Sequence, residues 1–337
     1  MIAGLALGAV FLWLALRDDR ATEAVAALRQ AQPGWLLITF LCGVGFTMTK
    51  ALRWAPLVNQ VASVPPGLVL RAIWAGTAVN LVVAHTGELL RATLIARRTG
   101  AAAAAVLATI AVERVFDFGA LAVLCAAGVL LDGRLAESLG VAGAIAAAVV
   151  AIGLLAARLL GARMPDGEQP PDGRPGATPE GLAPGGWLAA LGRAARRARA
   201  WLANQRQRAR AGLTGLSDPA LARRVAVLSL VQWVWVVAAI WASAAAVDAA
   251  PSLAGSLAVF ALMLLGLTLP AAPAHLGTTQ LAYVAGFAMV GQSGAPALAA
   301  SLVYTGCVIL PQLVAGGVLA LSPGTRMGLT RPSVSDP

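Results

Sequence analysis

Long apolar runs broken by short polar frames set the pattern of this chain. Met1 to Leu16, Ala31 to Thr49, Ser138 to Ala157 and Val225 to Val247 contain no charged residue, and each approaches or exceeds the roughly 20 residues a helix needs to cross a hydrocarbon core. From Ala249 to Thr325 there is no Asp, Glu, Lys or Arg in 77 residues, room for about three crossings. Backbone amides in lipid must be satisfied within the segment, so these runs predict helices and an all-α, polytopic membrane protein. The first run has no basic stretch ahead of it and no small-x-small site before Arg17, so it reads as a retained span and not a secretory signal.

Two polar frames interrupt the pattern in the same way. "AHTGELLR" (Ala84 to Arg91) and "AHLGTTQL" (Ala274 to Leu281) hold the chain's two histidines, each in Ala-His-x-Gly. If the basic stretches Lys50 to Arg71 and Arg91 to Arg98 both lie in the cytoplasm, Ala72 to Gly87 cannot cross and reads as one arm of a re-entrant hairpin. The second half repeats the plan: Ser252 to Leu269 dips in, Leu269 to Gly277 breaks the helix, and Thr279 to Val290 returns. Six full spans with two hairpins, or eight spans if each hairpin hides a crossing, form a pseudo-inverted repeat whose broken helices meet near the midplane. Thr86 is placed to cap a helix that carries Glu88 in its first turn and Arg97 and Arg98 in its last, with Gly100 as its stop. Thr278 or Thr279 is placed to cap a second helix that ends at Gly291. Both N-termini would aim free N–H groups at the break, a setting for phosphate or carboxylate.

Composition sharpens this picture. The chain is 59% hydrophobic and 12% charged, with a mean hydropathy of +0.78, outside the soluble range. The net charge of +10 does not indicate a nucleic-acid partner, because Arg158 to Arg224 holds twelve Arg against five acids. Residues 161–224 form a basic loop between a first membrane half (1–160, hairpin near 72–98) and a second (225–325, hairpin near 252–291), followed by a tail at 326–337. Within the loop, 163–186 is Pro- and Gly-rich and reads as disordered, whereas 187–210 gathers Trp187, Leu191, Trp201 and Leu202 on one helical arc opposite arginines. That helix lies on anionic headgroups or is simply a solvated basic tether. Its charge places the loop, both termini and Lys50, Arg53 and Arg71 on the cytoplasmic side of a bacterial inner membrane.

Charges inside such segments need a partner or a task. Glu113, Arg114 and Asp117 share one helical face. Arg114 can pair with Asp117, and Glu113 or Glu88 with Arg91; the cluster is either a transport path or an ion-pair knot between helices. His85, Glu88 and His275 depart from zincin spacing and have no thiolate nearby, so no metal and no cofactor is expected. Cys42, Cys125 and Cys307 read as buried hydrophobes, and "VQWVWVVAAIW" as interfacial packing. No nucleophile elbow, phosphate loop, dinucleotide fingerprint or CxxC pair occurs.

Taken in order, Arg53-Trp54, Asn80, Gly87-Glu88, Arg91, Arg97-Arg98-x-Gly100, Glu113-Arg114-x-x-Asp117 and "LPAAPAHLGTTQLAY" resemble the flippase-like membrane family. That family includes the transmembrane domain of lysylphosphatidylglycerol synthases. The resemblance covers nearly the whole chain apart from the basic loop. It implies movement of lipids, notably aminoacylated phosphatidylglycerol, between leaflets, with lysyl transfer left to a soluble domain. It implies a substrate-binding set of Asn80, His85, Gly87, Glu88, Arg91, Glu113, Arg114, Asp117, Pro270, Pro273, His275, Gly277, Thr278 and Gln280. Val83 and His85 stand where the family often has Pro and Arg, Gln280 where many members have Glu, and His275 where Gly or a bulky residue is usual. Headgroup selectivity would be set at those positions. The expectation is a lipid translocase and not an enzyme, with anionic or aminoacylated phospholipid as partner, Arg91 and Arg114 on its phosphate, and no nucleic acid. A homo-oligomer is compatible with it. The alternatives are an intramembrane enzyme using His85 and Glu88 as acid and base, and a non-transporting membrane scaffold.

Overall fold

A computed structural model describes residues 2–16, 20–83, 86–137, 218–267, 272–292, 294–322 and 325, with most of 140–151. The basic loop expected at 161–224, up to residue 217, and the tail at 326–337 lie outside the described residues. All regular structure among the described residues is helical.

Four helices are long and apolar enough to cross a membrane. They are α3 (Pro33–Val58), α6 (Ala103–Leu131), α7 (Pro219–Ala245) and the stretch Gly294–Leu321. The last runs as α10 (Gly294–Tyr304), a π-turn (Thr305–Ile309) and α11 (Leu310–Leu321). Pro311 has no N–H to give the preceding turn, and that turn widens so that the Leu310 amide bonds the Thr305 carbonyl. Starts and stops follow local chemistry. Pro33, Pro66 and Pro219 occupy first-turn positions where a missing N–H costs nothing. The Asp218 carboxylate caps α7 by accepting from the Ala220 and Leu221 amides at 2.9 and 3.3 Å.

Between the long helices lie two helix–break–helix hairpins. The first is α4 (Pro66–Val82) with α5 (Thr86–Thr99), and the second is α8 (Leu253–Leu267) with α9 (Thr278–Met289). Their arms hold 17, 14, 15 and 12 residues. At about 1.5 Å per residue each falls short of a hydrocarbon core about 30 Å thick. Gly100 (φ +75°) ends α5 and Gly291 (φ +77°) follows α9, as their positions in the sequence predict.

The chain therefore runs long, short, short, long twice, and the packing repeats with it. Just as α4 lies on α5 and α5 on α6, α8 lies on α9 and α9 on α10; just as α4 packs on α11, α8 packs on α6. The leading helices of the two repeats lie side by side and antiparallel. Trp35 stacks edge-on with Trp241 at 5.1 Å, Trp235 Nε1 donates to Thr49 Oγ1 at 3.2 Å, and Arg53 meets Ser229 at 2.9 Å. One repeat is thus inverted relative to the other. Small residues permit the close approaches, as expected where lipid offers no hydrophobic drive between helices. A Cβ on Gly316 of α11 would strike the Trp74 carbonyl of α4, and one on Gly286 of α9 would lie 2.5 Å from Val259 of α8.

The first apolar run departs from its expectation as a full span. It forms α1 (Ile2–Ala15), 14 residues long, followed by α2 (Arg20–Arg29). α1 is too short to cross, and packs on α9 and on a 3-10 turn at Pro273–His275, while α2 packs on α10. That turn also touches α4, so the second hairpin's break sits against the first hairpin. The three cysteines are free, with Cys42 and Cys125 buried.

Candidate functional site: a buried ladder of charge

The polar side chains of α5 and α6 meet those of α3 in an unbroken series of alternating charges. Arg91 Nη2 donates to Glu113 Oε2 at 2.6 Å, and Glu113 Oε1 accepts from Arg53 Nη2 at 3.0 Å. Arg53 also holds Asp117, through Nη1 to Oδ1 and through Nη2 to Oδ2 at 3.3 Å. Asp117 Oδ2 lies 3.4 Å from Arg114 Nη1, and Arg114 Nη2 donates to Glu88 Oε1 at 2.5 Å. Arg91, Glu113, Arg53, Asp117, Arg114 and Glu88 thus alternate in sign along one line. A charge buried in this setting is tolerated when paired and hydrogen-bonded, and each of these is.

Neutral groups complete the ladder. Ser229 Oγ accepts from Arg53, and Trp233 Nε1 donates to Asp117 Oδ1 at 3.0 Å, both from α7. Arg91 stacks 4.0 Å over the Trp54 ring, a cation–π contact, and Trp54 Nε1 donates to Thr109 Oγ1 at 3.0 Å. Exposure is uneven along the line: the side chains of Arg53, Arg91 and Glu113 are at most 2% exposed, whereas Arg114 is 41% and Glu88 15% exposed. The expected Arg114–Asp117 and Arg91–Glu113 pairs are both present. Glu88 pairs with Arg114, while Arg91 pairs with Glu113.

One sequence expectation is corrected. Lys50 and Arg53 are not loop charges beyond the second span; both lie within α3 and are buried. Arg91, expected on a headgroup phosphate, is 2% exposed, stacked over Trp54 and bonded to Glu113. The site residues that sequence reasoning left out are Lys50, Thr109, Ser229 and Trp233, with Arg53 and Trp54 entering only through the family resemblance. The available signal was the i, i+3 spacing of Lys50 and Arg53, which puts both on one face of an otherwise apolar helix.

The two Ala-His-x-Gly frames are built alike. The Gly87 amide donates to Asn80 Oδ1 at 2.6 Å, and the Gly277 amide donates to Gln280 Oε1 at 2.7 Å. In each hairpin a side-chain amide secures the glycine N–H, so one of the backbone amides expected to be free at each break is taken. The caps differ from expectation too. Thr86 Oγ1 donates back to the Val83 carbonyl at 2.6 Å, and the residue before α9 is Gly277 (φ +82°), with Thr278 and Thr279 buried inside the first turn. Glycine is required at both places: a Cβ on Gly87 would collide with the Gly76 carbonyl and Asn80, and one on Gly277 with the Gly8 carbonyl of α1. The remaining amide of Gln280, Nε2, donates to Thr305 Oγ1 at 3.2 Å, tying the second break to the π-turn. Ala274 and His275 take left-handed φ of 58° and 53°, and His275 Nδ1 is buried without a partner among the described residues. Pro273 opens this turn.

His85 and Pro270 lie outside the described residues. Of the remaining expected site residues, Glu88, Arg91, Glu113, Arg114 and Asp117 form the ladder, while Asn80 and Gly87 close the hairpin beside it. Pro273, His275, Gly277, Thr278 and Gln280 form a separate tip. Among the described residues no hydrogen bond or ion pair joins that tip to the ladder; contact between them runs through α4.

A family model described as the lysylphosphatidylglycerol synthase TM region matches residues 1–316, and the chain belongs to that family. No curated protein matches it.

Proposed function

From membership of this lipid-acting membrane family and the geometry of the ladder, we propose that the protein is a flippase-like translocase that moves a phospholipid or lipid-linked headgroup between leaflets. The observation that carries the reading is the Arg114–Glu88 pair, the one exposed end of an otherwise sealed series of charges. A guanidinium fork suits a phosphate, and the adjacent carboxylate suits a cationic headgroup substituent. An anionic or aminoacylated phospholipid has both. The acyl chains would remain in lipid while the headgroup passes between two hairpins whose arms are too short to seal the core. Arg53, Arg91 and Glu113 then serve as the frame that holds Arg114 and Glu88 in place.

No ATP-binding motif occurs in the sequence, and transport in this reading is downhill or ion-coupled. The setting is a bacterial inner membrane with both termini cytoplasmic, as the distribution of basic residues favours. Reconstitution in liposomes with a fluorescent phospholipid tests the proposal. Glu88→Gln and Arg114→Ala are expected to slow leaflet exchange at least tenfold, and exchange at wild-type speed in both would remove the pair from any pathway. The protein is read as a transporter and not an enzyme. Turnover of the lipid by purified protein, lost in His85→Ala, would reverse that assignment.

A further inference from the structure

The ladder has one more member than its pairing accounts for. Lys50 lies one turn before Arg53 on α3 and is 8% exposed. It makes no hydrogen bond or ion pair with another described residue. The charges of Arg91, Arg114, Glu113 and Asp117 act on it. All three carboxylates of the cluster, Glu88, Glu113 and Asp117, are already engaged by guanidiniums. Among the described residues four basic side chains, Lys50, Arg53, Arg91 and Arg114, therefore stand beside three carboxylates, and Lys50 is the one without an ion pair. Among the described residues, three further polar atoms of the ladder are buried without partners, the donors Arg53 Nε and Arg91 Nε and the acceptor Glu88 Oε2.

A buried lysine with no counter-ion is costly, and a long flexible stem could carry its ammonium out to water if nothing held it in. Here Lys50 stays 8% exposed, with two arginines that repel its charge and two carboxylates, both already paired, that attract it. What completes the arrangement is an anion of charge close to −1. A phosphodiester carries that charge, and its free oxygens can accept from an ammonium and a guanidinium together.

We infer that Lys50 is an anion-binding residue that takes an oxygen of a phosphodiester entering beside Arg114. The inference rests on the translocase reading for the location of the site and deepens it by naming a further residue that binds the phosphate. The anion has two sources, a phospholipid headgroup or free phosphate.

The test follows thermal unfolding of the full-length protein in detergent by tryptophan fluorescence. Short-chain phosphatidylglycerol, the matching diacylglycerol without phosphate, and inorganic phosphate are each titrated into wild type, Lys50→Met and Lys50→Arg. The expected result is stabilisation of wild type by the phospholipid and not by the diacylglycerol, with apparent affinity at least tenfold weaker in Lys50→Met and retained in Lys50→Arg. Ligand-free Lys50→Met is expected to melt at or above the wild-type temperature, since it loses an uncompensated charge. A lower melting temperature, or failure to fold, would make Lys50 a structural counter-charge and overturn the inference, as would an undiminished phospholipid response. Stabilisation by inorganic phosphate equal to that by lipid would keep Lys50 as the anion site and assign the anion to solution. Loss of binding in Lys50→Met alongside wild-type leaflet exchange in Glu88→Gln and Arg114→Ala would sink translocation while leaving the anion site standing.

Discussion

Arg114 and Glu88 meet at 2.5 Å across the seam between α5 and α6, and the arginine keeps 41% of its side chain open where Arg91, on the same ladder, keeps 2%. This contrast separates residues available to a headgroup from residues that hold the helices together. It also separates two kinds of mutational outcome.

At the exposed end, activity and stability should part company. A partly exposed ion pair contributes about 0–1 kcal/mol, so Arg114→Ala is expected to lower stability by no more than about 1 kcal/mol while abolishing most leaflet exchange. Chemical denaturation in detergent and the liposome assay on the same preparation check both halves.

At the sealed end the order reverses. Arg53 serves Glu113, Asp117 and Ser229 at once, and Arg53→Met would leave two buried carboxylates short of a partner. Breaking one side of a buried pair costs about 3–5 kcal/mol, so this variant should unfold at least that much more readily. The double variant Arg53→Met with Asp117→Asn should recover part of the loss, measured as a coupling energy in a double-mutant cycle.

The indole of Trp233 combines two roles that one substitution can divide. Its ring packs between Phe46 and Phe260 at 6.0 and 5.6 Å, while Nε1 donates to Asp117. Trp233→Phe keeps an aromatic ring and removes the donor, and should cost about 1 kcal/mol. Trp233→Ala should cost about 3–5 kcal/mol, the usual range for a large aromatic truncated in packed surroundings. Melting curves of the two variants distinguish the contributions.

Alanine at the two frame glycines should act through geometry. Gly277→Ala places a Cβ against the Gly8 carbonyl at a φ of +82°, a combination of left-handed strain of about 1–2 kcal/mol and overpacking of about 1–3 kcal/mol. Gly87→Ala places its Cβ against Gly76 and Asn80 and should pry α4 from α5. Protease sensitivity at each break, compared with wild type, reads the outcome directly. Gly67→Ala, with nothing within 4 Å of the added Cβ, is the control that should behave as wild type.

What one-dimensional pattern determined was whatever depends on local chemistry or on transfer to lipid. The charge-free runs at Ala31 to Thr49 and Val225 to Val247 lie in α3 and α7, and the polar frames at His85 and His275 mark the two breaks, because an interrupted apolar run cannot continue as a spanning helix. Helix ends at Gly100 and near Gly291 followed from glycine's freedom at positive φ. Glu113, Arg114 and Asp117 could be placed on one face because a single helix fixes their spacing.

The tertiary structure decided which charges belong together. Arg53 and Asp117 are 64 positions apart and Arg53 and Ser229 are 176 apart, and no local periodicity encodes such pairings. Lys50 and Arg53 looked like positive charges flanking a span, since a basic residue near a helix end carries the same signature whether it turns to water or inward. Only the packing of α3 against α6 supplies carboxylates on the inner side, where Arg53 pairs with two of them and Lys50 with none. The glycine amides likewise looked free until the return of α5 onto α4 brought Asn80 to Gly87, because satisfaction of a polar group depends on every element folded against it.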